Sequence, residues 1–140
     1  MSAFYGTYTR NIDDKQRLPL PREFRDVLGT ESGIVTRLGG ALTLHTAVDF
    51  EAMTDRLQAE VRAGERPMAM LRRITKNAYP VRPDAQNRIK LPRQILLDDE
   101  LNGELVMMGT HSRVEIRPPA RHAEVDAESD ALGPEAEDYV

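Results

Sequence analysis

The chain has 140 residues, enough for one compact domain or two small domains that share a core, and too few for a multidomain enzyme. Hydrophobic residues make up 40% of it, aromatic residues only 5%, and Cys is absent. We therefore expect a core of Leu, Ile, Val and Met, and we exclude disulfides, thiolate zinc sites and cysteine nucleophiles. The net charge of −4 at pH 7 argues against a polyanionic partner unless the charge is unevenly distributed.

The first predicted element group is a short β unit near the N-terminus. An extended segment leads into a polar turn at residues 13–16, and an alternating segment follows at 17–20, with Leu18 and Leu20 on one face. Pro21 then begins a helical turn, where its missing N–H costs nothing. Two further strands are predicted near residues 33–36 and 41–45.

A helical hairpin is predicted next. Asp49 is the predicted N-cap, apolar residues recur at helical spacing from position 50 to 61, and Gly64 supplies a stop. Pro67 begins a second helix, in which Met70, Leu71 and Ile74 are expected to be buried. A stripe of Met and Leu is far more typical of a core than of a cofactor pocket.

A second β unit repeats the first at a constant offset, which places position 8 opposite position 79. Within positions 8–22, six of fifteen residues are identical at this offset, where roughly one is expected by chance. The turn recurs at residues 84–87, a return segment at 88–91, and strands near 104–108 and 113–117. The two halves are therefore predicted to be copies of one unit. The identical pairs are Tyr8 and Tyr79, Asp13 and Asp84, Arg17 and Arg88, Leu20 and Leu91, Pro21 and Pro92, and Arg22 and Arg93.

The C-terminal segment differs sharply in composition from the rest of the chain. Residues 121–140 contain seven acidic residues and one Arg, which leaves residues 1–120 with 18 basic and 16 acidic residues, a net of +2. Only three of those cations are Lys; an excess of Arg suits bidentate recognition of phosphates and guanine edges, and an ordinary solvated surface is the alternative. The tail has too few large apolar residues to offset its ordering entropy, so we predict disorder there and a solubilising role rather than competition with DNA.

Each predicted turn carries the pattern DxxxR, from Asp13 to Arg17 and from Asp84 to Arg88. The Asp can accept backbone hydrogen bonds across the turn, and the Arg projects from the start of the return strand. The alternative is that each Asp and Arg form an ion pair that only pins the turn. Neighbouring cations that could contact phosphates are Arg10, Lys15, Arg22, Arg25, Arg82, Lys90 and Arg93.

These segments resemble the MraZ family. The strings FYGTYTRNIDDKQRLPLPREFRDVL, DAQNRIKLPRQILL and ELVMMGTHSRVEIR follow the family plan in order and spacing, and the resemblance covers about positions 4 to 117. It implies an α+β fold of two tandem swapped-hairpin units, of the type shared with AbrB and SpoVT, in a pseudo-symmetric barrel-like core. The implied organisation is a first copy at 1–48, a helical hairpin at 49–77, a second copy at 78–118 and an acidic, disordered tail at 119–140.

The resemblance also implies a function. Family members are bacterial transcriptional regulators, usually repressors, of the division and cell-wall gene cluster, and they bind repeated boxes of double-stranded DNA upstream of their own operon. They assemble into rings, so a homo-oligomer in the cytoplasm, associated with the nucleoid, is expected. The DNA-binding residues implied by the matching positions are Asp13, Lys15, Arg17, Arg22, Asp84, Arg88 and Arg93.

The chain departs from the family pattern inside both loops. The family usually has Gly before the motif Arg, and Gln16 and Asn87 stand there in this chain. Gly adopts a left-handed turn freely, Asn tolerates it moderately, and Gln loses roughly 1 kcal/mol or more. The first loop is therefore expected either to take another geometry that still presents Arg17 or to have lost base readout. The acidic tail also replaces the C-terminal helix of the family.

Nothing in the sequence predicts catalysis. His45, His111 and His122 lack metal-ligand spacing, and there is no Gly-rich phosphate loop, nucleophile elbow or Ser-His-Asp pattern. We expect no enzyme activity, cofactor, metal or small-molecule substrate, and no membrane partner, since no apolar run approaches roughly 20 residues. Two alternatives to a DNA-binding regulator remain: a ring-forming scaffold that no longer reads DNA, and an antitoxin of the AbrB type, although such antitoxins generally carry one hairpin copy.

Overall fold

The structure, a computed structural model, describes residues 3–30, 32–99 and 101–140, and these form an α+β fold. The first half contains β1 (Thr7–Asn11), β2 (Arg17–Pro19), α1 (Arg22–Leu28), β3 (Gly33–Leu38) and β4 (Ala41–Thr46). Two helices follow, α2 (Ala47–Arg62) and α3 (Met68–Thr75). The second half contains β5 (Tyr79–Val81), β6 (Arg88–Lys90), α4 (Arg93–Asp99), β7 (Glu104–Gly109) and β8 (Arg113–Arg117), and the tail contains α5 (Pro119–Asp130) and α6 (Gly133–Tyr139).

The two halves repeat the same elements in the same order. At the offset that places Asp13 opposite Asp84, the starts of β2, β3 and α1 coincide with the starts of β6, β7 and α4, respectively. The start of β8 deviates from that of β4 only by the one-residue slip that the sequence alignment of the halves requires. The repeat detected in the sequence is therefore also a repeat of structure.

Six strands form one antiparallel sheet in the order β1-β7-β8-β4-β3-β5. Strands are exchanged between the halves on both sides: β1 of the first half pairs with β7 of the second, and β5 of the second half pairs with β3 of the first. The equivalent strands β4 and β8 pair at the centre, with Leu44 opposite Val114. Neither half can form this sheet without the other.

The strands β2 and β6 form a separate two-stranded antiparallel ribbon, with Leu18 opposite Ile89. The expected barrel-like core is therefore wrong. In the described residues β1 and β5 are the edges of an open sheet, because the two return strands pair with each other instead of closing it.

The hydrophobic core lies beneath this ribbon. Leu18 and Ile89 are fully buried at the centre of the ribbon, and they belong to one cluster with residues of α1, α4 and one face of the sheet. Burying each such side chain contributes roughly 1.5–3 kcal/mol, so the shared core fixes the ribbon firmly against the sheet. Sheet residues in this cluster include Val35, Leu42, Leu44, Leu105, Met107, Val114 and Ile116.

The helix α2 begins two residues before the predicted N-cap. Thr46 is the N-cap, and its hydroxyl accepts a hydrogen bond from the Asp49 N–H at 3.1 Å, so the prediction of Asp49 as the cap was wrong. Asp49 lies instead in the first turn, where a negative charge is favourable to the helix dipole. Gly64 ends α2 as predicted: its φ is +79°, and the Glu65 N–H donates to the Glu60 carbonyl in a Schellman motif.

The two helices of the hairpin bury fewer residues than expected. Phe50 and Leu57 of α2 and Leu71 of α3 are buried. Met70 is 41% exposed, so the prediction that it lies in the core was wrong. Because α3 has only eight residues, one narrow face is enough to contact α2 and β3, and Met70 lies outside that face.

Stability is expected to fall between pH 7 and pH 5 because of His45. This residue is buried against Phe50, and burial, followed by the charge of Arg113, lowers its pKa to about 4. The folded state therefore holds His45 neutral, while the unfolded chain binds a proton near pH 6.5. The stabilisation is complete above about pH 6.5 and is lost as the pH falls towards 4, with about 2 kcal/mol lost by pH 5.

Urea unfolding at pH 7 and pH 5 measures this effect, with His45→Gln as the control. The variant should lose much less stability over this interval than the native chain. Asp13 and Asp84 do not complicate the comparison, because their pKa values are lowered and they titrate below this window. Equal losses in both proteins would contradict the prediction.

The tail forms the helices α5 and α6, so the prediction of disorder for residues 119–140 was wrong. Pro119 occupies the first helical position, and the following residues are rich in Ala and Glu, which are strong helix formers. Neither helix has a buried residue, although α5 contacts β7. Among all the described residues, no helix is both long enough and apolar enough to cross a membrane.

Candidate nucleic-acid interface

The first DxxxR loop is a β-turn organised by one carboxylate. The Gln16 N–H donates to the Asp13 carbonyl at 3.1 Å, and the Asp13 N–H donates to the Arg17 carbonyl at 3.0 Å. The Oδ1 atom of Asp13 accepts from the N–H groups of Lys15 (2.9 Å) and Arg17 (2.8 Å), and Oδ2 accepts from Nε of Arg17 at 2.7 Å. These bonds, chiefly the one from the Arg17 backbone, lower the pKa of Asp13 and keep it ionised at neutral pH.

The second loop has the same hydrogen bonds at the equivalent positions. Asp84 Oδ1 accepts from the N–H groups of Gln86 and Arg88, both at 2.9 Å, and Oδ2 accepts from Nε of Arg88 at 2.9 Å. The pKa of Asp84 is lowered, again mainly by the backbone hydrogen bond of the motif Arg. The two loops therefore present their arginines in the same way.

Both loops use a left-handed residue immediately before the Arg. Gln16 and Asn87 have a φ of +60° each, although neither is Gly. The expectation that the first loop takes another geometry was therefore wrong, since it keeps the turn of the second loop and presents Arg17. The carbonyls of these two residues also join the halves: Leu91 N–H donates to Gln16 O at 2.8 Å, and Leu20 N–H donates to Asn87 O at 2.7 Å.

Restoring Gly at these two positions is expected to stabilise the chain unequally. Gln16→Gly should raise the free energy of unfolding by about 1 kcal/mol, because Gln is strained in this conformation. Asn87→Gly should raise it less, since Asn tolerates the left-handed region. Urea unfolding checks both values. The control is Ala85→Gly in the same turn, where φ is not positive and a small loss is expected; a similar loss in Gln16→Gly would contradict the strain argument.

The ribbon brings the two motif arginines onto one surface. Arg17 lies opposite Lys90, and Arg88 lies opposite Pro19. Since Leu18 and Ile89 alternate with these residues and are buried, the other four residues lie on the outward face. We call Arg17, Arg88 and Lys90 the ribbon cations. Arg17 and Arg88 are diagonal neighbours, a relation in which Cα atoms lie about 7–8 Å apart.

Each motif Asp occupies only one edge of its arginine. The ion pairs use Nε, and within the part of the chain that the structure describes the Nη groups of Arg17 and Arg88 make no hydrogen bond. The two Arg side chains are 32% and 26% exposed. The Asp therefore holds the guanidinium in a fixed direction and leaves its outer edge open to an acceptor on another molecule.

In the sequence, Arg22 and Arg93 each lie near the loop of their own half. In the structure, the start of each helix lies near the loop of the other half. Arg93 begins α4 in the second half, yet it lines an open groove of about 780 Å³ with Asp13, Asp14 and Gln16 of the first loop. Arg22 begins α1, and the preceding Leu20 is hydrogen-bonded to the second loop. Each loop is therefore accompanied by the helix start of the other half.

The remaining cations differ in their surroundings. Arg10 lies over the Tyr8 ring at 5.7 Å and donates to Thr9 O, Arg25 donates to Gly29 O, and Arg82 donates to Ser32, so these arginines have local partners. Of the three ribbon cations, Lys90 is the one whose place beside the motif arginines was least clearly indicated by the sequence pattern. Alternation with Ile89 and Leu91 placed it outward, but only the pairing between halves brings it opposite Arg17.

Nothing in the described ranges 3–30, 32–99 and 101–140 brings three His, Cys, Asp or Glu side chains together as a group that could hold a metal ion. The fold and the loops define the class of protein: a duplicated α+β binding module with two equivalent arginine-bearing turns on one ribbon. Such a surface suits an anionic partner with a repeated structure.

Comparison with known proteins gives the family. No family model matches the chain. It is 36% identical to the transcriptional regulator MraZ of Salinispora arenicola over 115 residues, which are 81% of this chain and 80% of that protein. It is 34% identical to the transcriptional regulator MraZ of Corynebacterium efficiens over 139 residues, 98% of this chain and 96% of that protein. The chain therefore belongs to the MraZ family, and the relatives named here are transcriptional regulators.

Proposed function

We propose that the chain is a sequence-specific, DNA-binding transcriptional regulator. More narrowly, it represses the division and cell-wall gene cluster by binding repeated boxes of double-stranded DNA upstream of its own operon. The observation that carries this proposal is the pair of Asp-held arginines on one outward ribbon face. The proposed DNA-binding residues are Asp13, Lys15, Arg17, Arg22, Asp84, Arg88 and Arg93.

The geometry of each Arg suits base readout. A guanidinium presents two parallel donors that match the O6 and N7 acceptors of guanine in the major groove. Because Asp13 and Asp84 already fix Arg17 and Arg88 through Nε, these side chains lose little further freedom on binding. Ordering a free side chain costs about 0.5–1.5 kcal/mol, so this preorganisation favours binding by a similar amount for each Arg.

The size of the ribbon also suits DNA. A major groove about 12 Å wide admits a two-stranded β-ribbon. The separation of about 7–8 Å between Arg17 and Arg88 corresponds to roughly two base-pair steps of about 3.4 Å. Lys90 on the same face, with Lys15, Arg22 and Arg93 beside the loops, supplies charge for the phosphates on either side of the bases contacted.

The exchange of β1 and β5 between the halves supports the swapped-hairpin arrangement, with copies at 1–48 and 78–118, a connecting hairpin at 49–77 and a tail at 119–140. We propose a ring-shaped homo-oligomer in the cytoplasm, associated with the nucleoid. One ribbon contacts only a few base pairs, so repeated boxes require several copies of the chain. Catalysis, a cofactor and a small-molecule substrate have no part in this proposal.

The second candidate is a ring-forming scaffold that does not bind DNA. The two ion pairs favour it, because each Arg is partly satisfied within its own turn, and so does the net charge of −4. An antitoxin of the AbrB type has less support, since both halves of the sheet belong to one chain here. Salt dependence separates the scaffold from any DNA binder, because phosphate contacts release counterions.

The test is a gel-shift titration with the DNA upstream of the protein's own gene, against scrambled DNA of equal length, at 50 and 200 mM salt. We expect the upstream fragment to bind more tightly. With about four phosphate contacts, its affinity should fall roughly 100-fold between the two salt concentrations. Equal and weak binding to both fragments would refute sequence-specific regulation and favour the scaffold.

A further inference from the structure

The outer face of α3 carries apolar and cationic side chains together. Met68 and Met70 are 46% and 41% exposed, and Arg72, Arg73 and Lys76 are exposed beside them. Met68, Arg72 and Lys76 follow one another at four-residue steps and therefore line one stripe of the helix. We call these five residues the α3 surface. In the described ranges of the chain no ion pair involves its three cations.

The tail has the complementary composition and is incompletely stabilised by the rest of the chain. Residues 121–140 carry seven acidic residues and one Arg. Within α5, Glu124 and Glu128, and likewise Asp126 and Asp130, are like charges at four-residue spacing, and each such pair destabilises an isolated helix by about 0.2–0.5 kcal/mol. Neither tail helix has a buried residue, and Leu132 and Tyr139 are 53% and 95% exposed. Contact with a cationic surface would reduce the repulsion between the like charges, and apolar groups on that surface would bury Leu132 and Tyr139.

We propose that the acidic tail of one copy docks on the α3 surface of a second copy. The charges match, with a net of −6 in residues 121–140 against three cations on α3. Exposed apolar groups, Leu132 and Tyr139 on the tail and Met68 on α3, can be buried in the same contact. This pairing leaves the ribbon cations free, so it does not depend on DNA binding.

Within one chain the tail and α3 contact different strands, so we place the docking between two copies. Within one chain α5 contacts β7 and α3 contacts β3, and two strands, β8 and β4, lie between β7 and β3 in the sheet. Three strand spacings of about 4.8 Å separate the two sites. In the residues that the structure describes, no ion pair joins the tail to α3. Tail-to-α3 docking between copies is a heterologous contact, which generates a ring where the rotation closes and a filament where it does not.

Sedimentation velocity of the full chain without DNA, at 50 and 500 mM salt, tests the proposal. At 50 mM salt we expect association that weakens at 500 mM. Arg72→Glu/Arg73→Glu and Glu124→Lys/Glu128→Lys should each weaken it about tenfold or more, because like charges then meet across the contact. Combining all four substitutions in one chain should restore association, since the charges are complementary again.

The matched control is Arg56→Glu/Arg62→Glu, which makes the same change of charge on exposed positions of α2 and should leave association unchanged. Circular dichroism confirms that every variant is folded. A native chain that stays monomeric at 50 mM salt would overturn the proposal. So would reversal variants that associate normally, or a fourfold variant that does not recover. Because no DNA is present, each of these results is independent of the gel-shift outcome.

Discussion

Replacing Arg17 and Arg88 together with Ala is expected to remove specific DNA binding while leaving the chain folded. A bidentate Arg contact to guanine contributes about 1–3 kcal/mol of discrimination, so each single substitution should weaken binding to the upstream fragment by roughly 5- to 150-fold. The double substitution should lower the affinity for that fragment to that for scrambled DNA. Gel-shift titrations of both single variants and the double variant, on both fragments, measure the effect.

The fold should survive because these side chains contribute little to it. They are 32% and 26% exposed, and such surface ion pairs typically contribute no more than about 1 kcal/mol. The turns keep their backbone hydrogen bonds, since Asp13 and Asp84 also accept from the N–H groups of the residue at the motif Arg position. Urea unfolding of the double variant should therefore show a loss of at most about 2 kcal/mol.

The control is Arg56→Ala on the exposed side of α2, which removes the same charge far along the chain from both loops and should leave binding unchanged. Arg88→Lys separates two kinds of contact, because Lys keeps the charge and loses the bidentate geometry. Equal losses on upstream and scrambled DNA would assign the arginines to phosphate contact. Unchanged preference in the double variant would exclude the ribbon as the reading surface.

The local chemistry of the loops was predictable from the sequence. A DxxxR pattern around a polar turn specifies where the carboxylate accepts hydrogen bonds, and the structure has these bonds in both loops. The left-handed conformation of Gln16 was not foreseen, because the departure from the Gly of the family pattern predicted an altered first loop. The hydrogen bonds of the loops depend on residues within four positions of one another, so a single sequence contains the information that they need.

The pairing between the halves was not predictable in the same way. Alternation shows that Leu18 and Ile89 point inward, but it does not show that they lie opposite each other. For that reason the barrel-like core was a wrong expectation, and the position of Lys90 beside Arg17 emerged only from the structure. Strand partners far apart in sequence are selected by the packing of the whole core, which short patterns do not encode.

The errors about burial have a different cause. Met70 fitted the apolar periodicity of a helix, so it was expected in the core. The tail has few large apolar residues, so it was expected to be disordered. Helix formation in the tail depends on local propensity, including Pro119 at the first position, and not on burial. Apolar content alone therefore failed to predict the structure at both places.

Phe24→Ala is expected to be the most destabilising single substitution considered for this chain. Phe24 is fully buried in α1, and its ring contacts those of Phe4 and Tyr8 edge to face, with centroids 5.6 and 5.1 Å apart. Truncating a buried Phe to Ala costs about 3–5 kcal/mol, and aromatic pairs of this geometry add about 0.5–1.5 kcal/mol each to burial alone. The total free energy of unfolding of a domain of this size is only about 5–15 kcal/mol.

Urea unfolding of the variant measures this loss, and Phe24→Leu is the control, because it keeps most of the volume and should cost less than half as much. Phe24 lies in α1, outside the ribbon and both loops, so its truncation should affect DNA binding only by unfolding the chain. DNA binding by Phe24→Ala should therefore disappear at the temperature at which the chain unfolds, and not before. Loss of DNA binding while the chain remains folded would show that Phe24 positions the ribbon directly. A decrease of less than about 1 kcal/mol in the free energy of unfolding would show that the aromatic cluster repacks.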